Sequence, residues 1–136
     1  PEDGDGISYW TGKAATPGQE QLICWMSEAW ESNKVLEEDT LRALYATDTE
    51  TVLSFCERRN ITHFLITTKR YSRVYKVKCS TFEPLTTYAK RLLSGVARED
   101  LLFTAPPQES VIFRSGRFRL IDVERLKQAW ANEQEN

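Results

Sequence analysis

The stretch from residue 48 to residue 70, DTETVLSFCERRNITHFLITTKR, constrains the fold most, because a helical pattern gives way there to a strand pattern. Asp48 or Thr49 is a suitable helix N-cap, since its side-chain oxygen can accept a hydrogen bond from a free amide of the first turn. Asn60 is a suitable left-handed C-cap. Apolar residues spaced i, i+3 and i+4 predict one buried helix face. Its members are Val52, Phe55 and Cys56.

The second half of this stretch, Ile61 to Thr67, is rich in β-branched and aromatic residues and predicts a strand. Its centre, FLI at residues 64–66, is a continuous apolar run. Such a run is typical of a strand that is covered on both faces, as in α/β sheets. The connection between the helix and the strand is short, as αβ connections usually are. We therefore expect one αβ unit at the centre of the fold.

Hydrophobic patterns and turn residues predict the other elements and the fold class. The order of elements indicates an α/β fold, with α+β as an alternative, in which helices flank a mixed sheet of about four to five strands. A C-terminal β-hairpin and a terminal helix complete it. The predicted strands lie at 7–10, 101–104, 111–114 and 118–123, and the predicted helices at 19–30, 41–45, 82–94 and 123–131.

The length and charge of the chain limit the classes of protein to which it can belong. A chain of 136 residues is most simply one domain, with residues 1–6 as a flexible lead-in and residues 132–136 as a frayed tail. The net charge of −2 gives no global reason to expect nucleic acid or an anionic membrane as a partner. The polar PEDGDG start, without Met, indicates a fragment of a longer protein.

Residues that could perform chemistry are few. The three cysteines form no CxxC pair, so we expect no metal site, and no nucleotide or nucleophile motif is present, so we expect no cofactor and no catalytic residue. His63 is the only histidine, and it lies within a predicted strand. Asp122 is the best isolated carboxylate, because ligand clefts of open sheets lie beyond strand ends. Capping the terminal helix is its alternative role.

A basic-aromatic stretch at residues 69–78, KRYSRVYKVK, is the main candidate for ligand contact. Basic residues interleaved with aromatic ones are one signature of contact with nucleic acid or phosphate. The alternative is an exposed loop followed by an edge strand, where lysines discourage aggregation. The candidate ligand-binding residues are Lys69, Arg70, Tyr71, Arg73 and Tyr75, together with Asp122.

Five segments carry a resemblance to a family. They are LRALYATD at 41–48, VLSFCERR at 52–59, ITHFLI at 61–66, FEPL at 82–85 and VIFRSGRFRLIDV at 111–123. Together they resemble the soluble C-terminal, extracytoplasmic regions of multispanning bacterial membrane glycosyltransferases. Asn60 stands where those proteins commonly have Gly. In such proteins the catalytic carboxylates lie in membrane-proximal loops, so the resemblance implies no catalytic residue in this chain.

Three hypotheses about function follow. The first is a non-catalytic, extracytoplasmic accessory domain of a membrane-anchored glycosyltransferase-like protein, whose partner is the membrane-embedded part of the same parent chain. It could also contact a glycan or an acceptor. The second is an intracellular module that binds nucleic acid or a phosphorylated ligand through residues 69–78. The third is a small enzyme that uses Asp122 or His63. The oligomeric state stays open.

Overall fold

The computed structural model describes residues 27–68, 71 and 83–134. The contacts of the chain divide it into two compact units: unit 1 comprises Pro1–Leu41 and Val77–Arg91, and unit 2 comprises Arg42–Lys76 and Leu92–Asn136. The described elements, in chain order, are α1 (Ser27–Leu44), α2 (Thr49–Arg59), β1 (His63–Thr67), α3 (Leu85–Leu92), β2 (Val111–Ser115), β3 (Phe118–Asp122) and α4 (Val123–Gln134).

These elements confirm the α/β class, the C-terminal hairpin and the terminal helix. The sheet differs from the expectation in two respects, since the described residues form three strands rather than four to five, and the strands pair only antiparallel, in the order β1-β3-β2. The strand expected at 7–10 and the helix residues expected at 19–26 lie outside the described part of the chain.

The strand predicted at 101–104 is wrong, because Leu102–Thr104 forms a short 3-10 turn and Leu101 connects it to a preceding one, Arg98–Asp100. The amide of Thr104 donates to the carbonyl of Leu101 at 3.0 Å, which is a bond between residues three apart. Leu101 and Phe103 are both buried. Burial of every second residue imitated the period of a strand, although the backbone is that of a tight turn.

Helix α1 runs through the break that the sequence suggested at residues 39–40. The hydroxyl of Thr40 donates to the carbonyl of Leu36 at 2.8 Å, so it is engaged inside the helix and does not cap a new one. The side chain of Glu37 in the same helix is fully buried. In unit 1 the described apolar core residues are Leu41, Leu85 and Ala89.

Helix α2 has the caps that the sequence indicated. The Oδ1 atom of Asp48 accepts from the amide of Thr51 at 2.7 Å, and Asn60 ends the helix in the left-handed region at φ 52°. The side chains of Val52, Phe55 and Cys56 are buried, as expected.

Substitutions at Asn60 test this helix end. Gly enters the left-handed region without steric cost, so Asn60→Gly should leave the free energy of unfolding unchanged or raise it by up to about 1 kcal/mol. Val crowds its own carbonyl oxygen there, so Asn60→Val should lower it by about 1 to 2 kcal/mol. Urea titration of the two variants measures both changes. Equal stability of the two would contradict the left-handed cap.

The core of unit 2 lies on one face of the sheet. Phe64 projects from β1 to this face, with ring centroids 6.3 Å from Phe55 on α2 and 5.0 Å from Phe103. Ile121 on β3 is fully buried beside them. Helix α4 buries Leu126, Ala129 and Trp130 as the sequence predicted. We call this side of the sheet the inner face.

Candidate functional site

The other side of the sheet, which we call the outer face, follows from the alternation of side chains along a strand. Because Phe64 and Ile66 of β1 face the core, His63, Leu65 and Thr67 must project to the opposite side. The register of the strands then assigns the remaining members. The outer face comprises His63, Leu65 and Thr67 of β1, Phe118, Leu120 and Asp122 of β3, and Phe113 and Ser115 of β2.

An apolar row crosses the middle of the outer face. Leu65 pairs with Leu120, which pairs in turn with Phe113, so that three apolar side chains lie side by side across the three strands. Leu65 is 37% exposed and Phe113 is 56% exposed. Next to this row, Ile112 is 40% exposed beside the irregular register between Val111 and Phe113. The row is therefore an apolar surface in contact with solvent.

This exposure corrects the expectation that β1 is covered on both faces. Its burial alternates over the first four residues, with Phe64 and Ile66 buried and His63 and Leu65 exposed, whereas Thr67 at the end of the strand is buried. The apolar run FLI fits two roles, since Leu at the middle position can be covered by a neighbouring layer or can face outward. Helix α2 packs against the inner face through Phe55 and Phe64, and α4 contacts β3.

His63 and Asp122 lie opposite each other at one end of the outer face. The His63 Nε2 atom is 3.6 Å from the Asp122 Oδ2 atom, and the His63 Nδ1 atom is 2.9 Å from the Thr62 hydroxyl. The other carboxylate oxygen of Asp122, Oδ1, accepts from the amide of Arg125 at 2.9 Å and so caps α4. The pair is partly exposed, at 45% for His63 and 26% for Asp122. The structure thus joins the two residues of the enzyme hypothesis, and it gives Asp122 the capping role.

Two substitutions separate the roles of Asp122. Asp122→Ala removes the cap of α4 and should lower the free energy of unfolding by about 0.5 to 2 kcal/mol. Asp122→Asn keeps an oxygen that can accept from the Arg125 amide, and it loses only the partly exposed contact of the carboxylate with His63, which is worth less than about 1 kcal/mol. Thermal or urea unfolding measures both. An Asn variant as unstable as the Ala variant would show that the carboxylate charge matters more than the cap.

The opposite end of the outer face carries the β2–β3 hairpin, which we call the arginine hairpin and define as residues 111–119. It contains Arg114, Arg117 and Arg119, and the sequence has no acidic residue between Glu109 and Asp122. The Cζ atom of Arg117 lies 5.1 Å from the centre of the Phe118 ring, which is a cation–π contact. By the register, Arg119 pairs with both Ile66 and Arg114, so Arg114 and Arg119 project to the side of the sheet opposite Phe113. Arg117, in the turn, brings a positive charge to the edge of the outer face.

Hydrogen bonds fix the other two guanidinium groups. The Arg119 Nη1 atom donates to the carbonyl oxygens of Gly116 and Phe118, at 2.9 and 2.8 Å. The Arg114 Nη2 atom donates to the side-chain oxygen of Gln108. Gly116 occupies the turn at φ 50°, a conformation that glycine adopts without strain. Arg117 thus stands in the tight turn, and Arg114 and Arg119 flank it on β2 and β3.

The end of β1 is bonded to this hairpin. The amide of Thr68 donates to the carbonyl of Arg117 at 2.8 Å, and the Thr68 hydroxyl donates to the same oxygen at 3.3 Å. In the sequence, Thr68 directly precedes the basic-aromatic stretch.

The candidate ligand residues of the basic-aromatic stretch have different outcomes. Tyr71 is buried in unit 2, where its hydroxyl donates to the carbonyl of Leu44 at 2.9 Å and its ring meets Tyr45 edge to face at 6.4 Å. This position is that of a core residue. The other four, Lys69, Arg70, Arg73 and Tyr75, lie outside the described residues, so their role stays a prediction.

The other features of the described chain include none of the candidate site residues that the sequence analysis named. A surface pocket of about 170 Å³ lies on the α4 side of unit 2. In the described ranges, no group of three or more His, Cys, Asp or Glu side chains could hold a metal ion, and no helix there has the length and apolarity needed to cross a membrane. The pocket is lined by Glu99, Asp100, Leu101, Leu102, Ala105, Pro107, Trp130 and Glu133.

Sequence reasoning missed the outer face. Leu65 was assigned to a strand covered on both faces, and Leu120 and Phe113 were interpreted only as residues of the hairpin. The signal was present in the arginines at 114, 117 and 119, because a hairpin with so many cations could not be buried on both faces. Comparison of the chain with protein-family models, curated proteins and solved structures found no match.

Proposed function

We propose that this chain is a non-catalytic accessory domain of a polytopic, glycosyltransferase-like membrane protein, and that it supports the membrane-embedded part of the same parent chain from the extracytoplasmic side. The open outer face carries this proposal. Its apolar row supplies a docking surface, and Arg117 in the hairpin turn supplies a positive charge at the edge of that surface. The family resemblance of residues 41–123 supports the choice of parent.

The energetics of the outer face favour a docking role. Full burial of a Leu or Phe side chain stabilises a protein by about 1.5 to 3 kcal/mol. Leu65 and Phe113 are partly exposed, so each contributes only part of this stabilisation in the isolated domain. A contiguous, exposed apolar surface rimmed by polar residues is typical of an interaction site. The ring of Phe113 also offers an apolar face to the C–H groups of a glycan or acceptor. Burial of these two side chains on docking would therefore stabilise the docked state relative to the isolated domain.

Reading the gene upstream of Pro1 and fusing a compartment reporter after Asn136 tests this function. We expect several apolar spans of about 20 residues, followed by this domain, and a reporter that is active outside the cytoplasm. A gene product without such spans, or a reporter active only in the cytoplasm, would refute the proposal.

A second function is favoured by one specific observation, the bonds between Thr68 and Arg117. They join Thr68, the residue before the basic-aromatic stretch, to the arginine hairpin. In this second function, cations from the two segments bind one nucleic acid or phosphorylated ligand. In that case the domain would be an intracellular binding module. Contact with several phosphates releases counterions, so the affinity must fall steeply as salt is raised.

A titration with a single-stranded oligonucleotide at increasing salt tests the second function. The informative variant is Lys69→Gln with Arg70→Gln, and its matched control is Arg58→Gln with Arg59→Gln, which removes two charges from the end of α2. We expect the first variant to reduce both the affinity and the slope against salt, and the control to leave both unchanged. No binding at low salt would eliminate this function.

A further inference from the structure

We infer that the arginine hairpin, together with the exposed apolar side chains of β2, is a contact site for the surface of a membrane that contains anionic phospholipids. This inference rests on the proposed function, because it specifies where the accessory domain meets the bilayer beside the spanning part of its parent.

The charge of the hairpin fits phospholipid headgroups. Its three guanidinium groups lie within six residues and no carboxylate interrupts them, whereas Asp122 stands at the far end of β3. A planar guanidinium matches a phosphate with two parallel hydrogen bonds. The bonds inside the hairpin use Nη1 of Arg119 and Nη2 of Arg114. The remaining nitrogens of each fork can donate to phosphate oxygens.

The apolar side chains beside these cations favour a lipid surface over a nucleic acid. Ile112 and Phe113 are 40% and 56% exposed and directly precede Arg114. An aliphatic and an aromatic side chain next to arginines suit the boundary between headgroups and acyl chains. A nucleic acid could stack a base on Phe113, but it offers Ile112 no apolar environment.

The hairpin is also ordered before it binds. Its strands are joined by the two residues Gly116 and Arg117, and the carbonyl of Arg117 accepts from both the amide and the hydroxyl of Thr68. The tip is thereby fixed to the end of β1. A fixed tip loses little conformational entropy on contact with a membrane. Because β2 is an edge strand, a membrane that meets this edge can contact Phe113 on one side of the hairpin and Arg114 on the other.

Sedimentation with vesicles tests the site on the 136-residue chain. We expect binding to vesicles made of equal parts of phosphatidylcholine and phosphatidylglycerol, and much weaker binding to phosphatidylcholine alone. Arg114→Gln and Arg117→Gln should each weaken binding about fivefold, the change expected when one basic residue leaves an anionic surface. Phe113→Ser should weaken it about tenfold through the lost insertion of an apolar side chain.

Two exposed positions away from the hairpin provide matched controls. Arg58→Gln removes an exposed arginine from α2, and Val35→Ser removes an exposed apolar side chain from α1. Both should bind mixed vesicles as the parent sequence does. Circular dichroism of every variant separates loss of binding from loss of fold, since substitutions on an exposed turn should preserve the spectrum.

Three outcomes would overturn the inference: no binding to mixed vesicles, equal binding to both kinds of vesicle, or hairpin variants that bind as well as the controls. Tighter binding to an oligonucleotide that responds to the arginine substitutions but not to Phe113→Ser would overturn it in favour of a nucleic-acid surface. The proposed function and this inference are tested by different experiments. The absence of spanning segments in the parent gene would refute the proposed function and would not change the result of the vesicle measurement.

Discussion

Phe64→Ala should lower the free energy of unfolding of unit 2 by about 3 to 5 kcal/mol, the range for deleting a buried Phe side chain. The ring of Phe64 is the link between Phe55 on α2 and Phe103 in the 3-10 turn, with centroid distances of 6.3 and 5.0 Å. Its removal loses the transfer free energy of the ring, and it leaves a cavity between elements that the surrounding backbone cannot fill completely.

Phe113→Ala is the matched control, because it deletes the same side chain from a strand of the same sheet. Its ring projects to the outer face and is 56% exposed, so its loss should cost less than about 1 kcal/mol. Urea unfolding followed by circular dichroism, with hydrogen exchange of the β1 and β3 amides, measures both variants. Equal losses would contradict the division of the sheet into an inner and an outer face.

The second large effect concerns Cys56, because burial raises the pKa of its thiol from 9.0 to about 11. Between pH 9 and pH 11 the thiol of the unfolded chain loses its proton while that of the folded chain keeps it. The unfolded state then binds fewer protons than the folded state, so stability must fall as the pH rises. At about 1.4 kcal/mol per pH unit, the loss across this window is about 2 to 3 kcal/mol, and it is absent below pH 9.

Cys56→Ala isolates this effect from the other groups that titrate at high pH. The variant carries a constant cost for the lost sulfur, but its stability should fall less steeply than that of the parent sequence between pH 9 and pH 11. Urea unfolding at several pH values gives the difference between the two curves. Parallel curves would show that the thiol ionises equally easily in the folded and unfolded states.

The two proposals about function both depend on the outer face, and the Phe113 variants connect them with the stability experiments. A side chain whose removal costs little in folding, yet weakens vesicle binding, is used for interaction rather than for the core. The same variant therefore separates a docking surface from a structural one. Arg117→Gln tests in the same way whether a charged side chain serves binding or folding, because Arg117 is exposed and its guanidinium lies over the Phe118 ring.

The sequence by itself determined the local structure of unit 2 wherever neighbouring residues set it. The cap at Asp48, the left-handed end at Asn60 and the two-residue hairpin turn at Gly116 depend on bonds and backbone angles within a few residues. The terminal helix with its inward Leu126 is likewise given by the 3.6-residue period of its apolar side chains. Such features are predictable because no distant part of the chain has to be known.

Only the tertiary structure decided which apolar residues are buried and which polar residues are in contact with each other. A run such as FLI is compatible with a buried strand and with an open one, and pairing with β3 exposed Leu65 and placed it beside Leu120 and Phe113. The same pairing brought His63 to Asp122, and it brought Thr68 to Arg117 across 49 residues of sequence. Contacts between distant residues depend on strand order and register, which apolar periodicity alone leaves undetermined.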